Sequence, residues 1–274
     1  MKSIRYTPDT VDARVSNAFT SVVTDDVFGF GHSQIADVLH RYEADLTASK
    51  HGHLSLRDNY FSPGRVLRQG GMDPILRGMI LTACQEVDTK AADGVRNFLF
   101  GTNTKGFDLV AINIQRGRDH GIPDYNTLRE GIGLKRMNSF EDITPDREVV
   151  SLLTRIYKGN VDNVDAFVGG LAEPHVAGGA VGELFATIIA DQFSRLRNGD
   201  RHWFENKAVA AEAVEDIVKY RRTTMAQVIA RNSGLGEQDR VWDGHAGGAS
   251  LSGAKGFLVP RGLHGKEREE STEL

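Results

Sequence analysis

Residues 180–197 set the terms for the whole chain. Val181, Leu184, Phe185, Ile188, Phe193 and Leu196 approximate the i, i+3, i+4, i+7 spacing that lines up apolar side chains along one stripe of a helix, and Gly199 stands just past the end. Nothing else in the 274 residues competes with this pattern. No run alternates apolar and polar residues with β-branched enrichment, and no hairpin dipeptide joins two such runs. A chain patterned in this way buries helix against helix, so the expected fold class is mainly α with little or no β and long irregular loops.

Local punctuation marks further helices. Asp73-Pro74 reads as an N-cap followed by proline at the first helical position, opening a helix over 73–84 with Ile75, Met79 and Ile80. Thr144-Pro145 reads the same way for 145–158, where Val149, Leu152, Leu153 and Ile156 share a face and Gly159 is the stop. Asn206 and Thr223 are the expected caps of helices over 207–220 and 224–232, the second ending at Gly234. No fixed-period repeat is present. From about 236 the composition shifts to Gly244, Gly247, Gly248, Gly253 and Gly256, then to the polar run Lys266–Glu273. One domain is therefore expected over 1–235, followed by a disordered or loosely attached tail over 236–274.

Charge and composition exclude several functions. Thirty-three basic against thirty-seven acidic residues leave a net charge of −4, which gives no electrostatic reason to expect nucleic acid or an anionic membrane as the main partner. A single cysteine, Cys84, excludes an internal disulfide and any Cys-based zinc or iron–sulfur centre. No stretch approaches the roughly 18 apolar residues of a spanning helix. The opening Met1–Asp9 has a basic residue but no apolar core, so no signal peptide is expected. None of this fixes a compartment.

Several candidate sites have ordinary explanations. Gly178-Gly179-Ala180-Val181-Gly182 opens a helix but lacks a preceding strand and a Gly-Lys-Ser/Thr, so a loop entering a helix is preferred over a phosphate cradle. His51 and His53 have no third ligand at useful spacing and read as a solvated loop. Lys219–Arg222 reads as a cationic helix end meeting the dipole. No Gly-x-Ser-x-Gly elbow offers a serine nucleophile. Two segments are harder to dismiss. Phe28-Gly-Phe-Gly-His32 sets an aromatic pair and two glycines before a histidine that is expected to enter an apolar helix. Asn113-Ile-Gln-Arg116-Gly-Arg118-Asp119-His120-Gly-Ile-Pro-Asp-Tyr125-Asn126 concentrates charge beside apolar residues, which requires an anionic partner or internal ion pairs. Taken alone, His32 reads as a satisfied core histidine.

The second segment resembles the signature of the animal-type haem peroxidases, the superfamily of myeloperoxidase, lactoperoxidase and peroxidasin. The resemblance runs from about Val11 to Gly234 and includes, in order, Gly70–Gly78, Asp165–Pro174 and Gln192–Asn206. It implies the fold of the C-terminal, proximal half of that catalytic domain. It also implies haem b as cofactor, with His32 as the axial ligand of the iron, Asn113 as hydrogen-bond acceptor for its other ring nitrogen, and Arg116 as partner of a haem propionate. Arg118, Asp119 and His120 are expected to hold the segment together. The implied activity is reduction of hydrogen peroxide coupled to oxidation of an organic or halide donor.

The chain also departs from the family pattern. The distal His and Arg of the family, its calcium site and its ester-forming carboxylates precede the proximal histidine, and none of the 31 residues before His32 matches them. Arg5 and Arg14 are not credible substitutes, so no catalytic residue is assigned. Gly29 stands where the family commonly has an arginine touching a propionate, and Thr24-Asp25-Asp26 looks like a short insertion. Both features are expected to weaken haem retention. Gly29 also argues against the family's dioxygenases, which place a radical tyrosine at that position. A haem-binding fragment without turnover and an inactive truncated product are the alternatives to a working peroxidase half.

Overall fold

The computed structural model describes residues 28–101, 106–199, 203–205, 214–236, 238–243, 245–246 and 249–250. The expected cap Asn206, Arg5, Arg14 and the insertion at 24–26 lie outside the described residues. Regular structure within them is helical almost throughout, as expected. After a 3-10 turn at Phe28–His32 come α1 (Pro63–Arg68), α2 (Asp73–Leu81), α3 (Asp93–Arg96), α4 (Leu109–Asp119) and α5 (Tyr125–Gly131). Then follow α6 (Phe140–Ile143), α7 (Arg147–Ile156), α8 (Ala166–Ala172), α9 (Glu183–Gly199), α10 (Val214–Arg222) and α11 (Met225–Asn232). The strands are two-residue pairs. β1 (Val38–Leu39) lies antiparallel to β2 (Leu54–Ser55), with Val38 opposite Ser55 and Leu39 opposite Leu54. β3 (His245–Ala246) likewise pairs with β4 (Ala249–Ser250).

Side-chain caps decide where the helices begin. Asp108 accepts from the Ala111 amide to start α4, and Asp124 accepts from Thr127 to start α5. Ser139 with Asp142 closes a reciprocal capping box on α6, as Thr224 with Gln227 does on α11. Three expected starts shift. Thr144 ends α6 rather than capping α7, because the Asp146 carboxylate reaches the amides of Glu148 and Val149 and a hydroxyl two residues earlier cannot. Thr224, not Thr223, caps α11, since only Thr224 has Gln227 three positions on to complete the box. Asp73 falls inside α2, behind Met72. The expected helix over 73–84 stops at Leu81, leaving Cys84 exposed beyond it.

The main core lies between α5 and α9. Tyr125 and Leu128 of α5, Ile143 of α6, Leu153 of α7, Phe167 and Leu171 of α8, and Leu184, Phe185 and Ile188 of α9 are all buried in one cluster. Burying each large apolar side chain contributes roughly 1.5–3 kcal/mol. Two glycines let α8 enter this deeply. A Cβ on Gly169 would lie 2.2 Å from the Tyr125 ring, and one on Gly170 2.3 Å from the Phe185 ring. The apolar stripe of α9 is only half used: Leu184 and Ile188 are fully buried, whereas Phe193 is 51% exposed and Leu196 47% exposed.

A smaller core of Leu46, Leu81, Leu235 and Val241 covers α2 on its other side. Here Arg77 donates to both oxygens of Asp239, with Nη2 2.7 Å from Oδ2. Packing therefore continues beyond the expected domain end at 235, through the 3-10 turn Arg240–Asp243. The hydrophobic residue Val241 and the ion-pairing residue Asp239 are what the glycine-rich composition downstream obscures. Before α1, the loop between Arg41 and His53 is tied by one side chain. Arg41 is 1% exposed, and its guanidinium donates to the carbonyls of Gly52 and His51 and to the Gln69 side-chain oxygen.

Candidate functional site

His32 and Asn113 are 81 positions apart and meet through one hydrogen bond, Nδ1 to Oδ1 at 2.8 Å. An amide oxygen only accepts, so the imidazole proton sits on Nδ1 and the Nε2 lone pair is left available. Asn113 is buried in the middle of α4, and His32 closes the Phe28–His32 turn, half-buried. His32 does not enter a helix as expected. The turn ends at His32, and the chain runs on irregularly to β1, with the Ser33 hydroxyl donating to the Phe30 carbonyl at 2.7 Å.

Arg116 lies three residues after Asn113 on α4, hence on the same side of the helix. Its side chain is exposed and makes no hydrogen bond or ion pair with any described residue. Arg118 is different. It forms a two-pronged pair with Asp165, both contacts at 2.8 Å, and the same carboxylate accepts from the Tyr157 hydroxyl at 2.8 Å. Burial pushes the Tyr157 hydroxyl pKa upward, reinforced by that hydrogen bond. Asp119 accepts from Gln115 at 2.7 Å. The signature segment thus divides by geometry: Asn113 meets His32, Arg116 meets no described side chain, Arg118 ties α4 to Asp165, and Asp119 makes a contact within α4 itself.

The helix start at 178–182, read as a loop entering a helix rather than a phosphate cradle, meets the protein's own anion. Glu173 accepts from the Leu184 amide at 2.7 Å, and its Cβ leaves no room for one on Gly182. The same carboxylate accepts from the Tyr125 hydroxyl at 2.6 Å and from Arg129, whose other nitrogen reaches Glu183. No local pattern pairs residue 129 with residue 173, and the sequence reading missed this network. Glu173 stands inside a matched motif, which was the only signal available. Nδ1 of His53 accepts from the Arg41 amide, and no group of three or more metal-ligating side chains occurs among the described residues. Lys219, Arg221 and Arg222 occupy the last turn of α10, as the dipole favours. No helix among the described residues is long and apolar enough to cross a membrane.

A mainly helical frame with this signature segment defines a class, the haem peroxidases of the animal type. The model of the animal haem peroxidase family matches residues 2–242, and the chain belongs to that family. It is 39% identical over 224 residues to peroxinectin A of Dictyostelium discoideum, covering 81% of this chain and 40% of that protein. It is 40% identical over 231 residues to thyroid peroxidase of Sus scrofa, covering 82% of this chain and 24% of that one. Among solved structures, peroxidase A from Dictyostelium discoideum aligns with a TM-score of 0.71 at 38% identity, over 82% of this chain and 42% of that chain. A fatty acid α-dioxygenase from Arabidopsis thaliana shares the fold at 21% identity and a TM-score of 0.62. The chain spans less than half the length of these relatives.

Proposed function

We propose that this chain supplies the proximal side of a haem peroxidase, with His32 as the axial ligand of the iron of haem b. The observation that supports this reading is the 2.8 Å hydrogen bond from His32 to Asn113. A proximal imidazole needs an acceptor on its far nitrogen to fix tautomer and ring orientation and to raise its basicity. An amide oxygen draws the ring proton less than a carboxylate would, so the imidazole stays a neutral ligand. Arg116, exposed and unpaired among the described residues, is suited to a charge-assisted contact with a propionate.

When bound, haem would supply the reduction of hydrogen peroxide coupled to oxidation of an organic or halide donor. This chain's residues hold and orient the group. No residue here is assigned the acid–base work on the peroxide side, which a distal half on another polypeptide would supply. Gly29, in the place of a propionate-binding arginine, favours a second reading in which haem is held weakly and without turnover.

The test is a haemin titration of the purified chain followed in the visible spectrum, with His32→Ala alongside. A saturating Soret shift lost in the variant is expected. Equal, weak binding by both chains would overturn the assignment of His32. Fast turnover of peroxide by the haemin-loaded chain would reject the second reading.

A further inference from the structure

Aromatic rings gather on the surface where the loop before α1 meets the turn after α3. Phe61 is 80% exposed, Phe100 and Phe107 are exposed, and Tyr60 is half-buried beside them. Phe100 is the hub, its ring centre 5.8 Å from that of Phe61, 6.0 Å from Phe107 and 6.3 Å from Tyr60. Rings at these separations attract one another, but soluble surfaces rarely expose apolar groups contiguously in this way.

The backbone beneath the rings adds to the anomaly. The Ser62 amide donates to the Asn59 carbonyl, and the Gly101 amide to the Phe98 carbonyl, so Phe61 and Phe100 each take the third position of a hydrogen-bonded turn. Both have positive φ, 54° and 70°. Glycine or asparagine suits such a position, because a bulky side chain is strained there. Each turn therefore holds phenylalanine at an energetic cost, and the ring that results faces solvent. Strain kept at a surface in this way points to a use outside the fold.

We propose that the Tyr60, Phe61, Phe100 and Phe107 cluster is the seat of the polypeptide that carries the distal half of the peroxidase domain. The identity of this partner rests on the function proposed above. Chemistry, position and size favour it. Arginines border the rings: Arg57 lies 5.2 Å from the Phe98 ring centre, and Arg65 donates to Oδ1 of Asn59 at 3.1 Å. An aromatic centre with a polar, arginine-bearing rim is the make-up of a protein interface. The cluster also adjoins the candidate site. Leu99 and Phe107 exchange backbone hydrogen bonds, and the next residue, Asp108, caps α4, which carries Asn113 and Arg116. A partner seated on the rings therefore reaches the start of that helix. Finally, the aligned part of peroxidase A from Dictyostelium discoideum is 42% of its chain, so the greater part of that protein lies outside it and is available to cover such a face.

The experiment places p-benzoylphenylalanine at position 61 or 107 of the full chain, in cells of the organism of origin. Peptide mass spectrometry then identifies what ultraviolet light attaches to it. The expected product joins this chain to a polypeptide of the animal haem peroxidase family, through a segment outside the part shared with this chain. A second copy of this chain, a lipid, an unrelated protein or no product would overturn the proposal. Phe100→Asn should lower the yield from position 107 by about tenfold, as loss of an interface hot spot does.

The purified chain alone supplies the second readout. If the rings serve a partner, Phe61→Asn relieves strain, and the melting temperature of this variant should equal or exceed that of the wild type. A fall of several degrees would show that the ring serves the chain's own fold and would overturn the proposal even where a cross-link forms. Neither readout needs haemin, so a failed haemin titration leaves both standing, and an uncovered cluster leaves the assignment of His32 standing.

Discussion

Glu173 and Arg129 meet where solvent does not reach, their side chains 2% and 1% exposed, and the carboxylate also takes the Tyr125 hydroxyl and the Leu184 amide. One acceptor therefore joins α5, the end of α8 and the start of α9. Burial pushes the Tyr125 hydroxyl pKa far upward, and the neighbouring carboxylate reinforces the shift. The pair is costly to break because removing one member leaves the other charge buried. Glu173→Ala is expected to lower the unfolding free energy by about 3–5 kcal/mol in a denaturant titration, and Glu173→Gln by less.

Gly78, inside α2, tests whether propensity or packing decides. Helix propensity alone favours alanine over glycine by about 1 kcal/mol. A Cβ at Gly78 would lie 1.9 Å from the backbone oxygen of His40, a contact that cannot relax without moving the chain leading into the 41–53 loop. Overpacking of that kind costs about 1–3 kcal/mol, so Gly78→Ala should be net destabilising. At Gly131, where a Cβ meets nothing within 4 Å, the same change should be neutral or slightly stabilising. Paired thermal melts would settle both signs.

Acid should loosen the clasp at Asp165. Burial alone would raise this carboxyl, but hydrogen bonds from Arg118 and Tyr157 outweigh it and hold the pKa below the ordinary value. A depressed carboxylate contributes its full stability above its unfolded pKa, near about 3.9, and loses it as pH falls through the folded value. Asp165→Asn is expected to cost about 2 kcal/mol at pH 7. The gap between the two proteins should then close as pH falls below about 4. Melting curves at a series of pH values check this, and a gap that widened in acid would contradict it.

Much of this was legible in the chain itself. Helical spacing located α9, and the 113–126 signature located Asn113 and Arg116, because both signals are local. What stayed hidden depends on distant partners. Residues Phe193 and Leu196 continue the apolar period of α9 but are half exposed, since periodicity reports a face and not what covers it. His32 looked like the start of a helix because apolar residues follow it, yet the Ser33 hydroxyl turns back to Phe30 and no helix forms. Arg77 and Asp239, or Arg129 and Glu173, carry no mark in sequence that pairs them.

The boundary expected at 235 can be tested by truncation. A chain stopped after Gly236 loses Val241 from the smaller core and leaves Arg77, only 9% exposed as a side chain, without its carboxylate. A loss of about 3–5 kcal/mol relative to a chain stopped after Asp243 is expected, measured by urea unfolding.

Arg116 should separate binding from folding. Its side chain is exposed and unpaired among the described residues, so Arg116→Ala should leave the melting temperature of the haem-free chain unchanged. Its loss should weaken haemin binding by about tenfold, the equivalent of one charge-assisted hydrogen bond. Arg116→Lys should recover only part, because an ammonium cannot make the forked contact.

The loop held by Arg41 implies an order of failure. Its three acceptors are two backbone carbonyls and a side-chain amide, and none of them takes up a proton in moderate acid. The clasp at Asp165 depends on a carboxylate, which its hydrogen bonds keep ionised until stronger acid. On acidification the Arg118–Asp165 contact should open as that carboxyl protonates. In the 41–53 loop the guanidinium contacts of Arg41 should persist, and only its amide, which donates to Nδ1 of His53, should lose its acceptor. Amide exchange followed down the pH scale would show the Arg41 amide losing protection as His53 takes up its proton, and the residues around Asp165 losing it only as that carboxyl protonates.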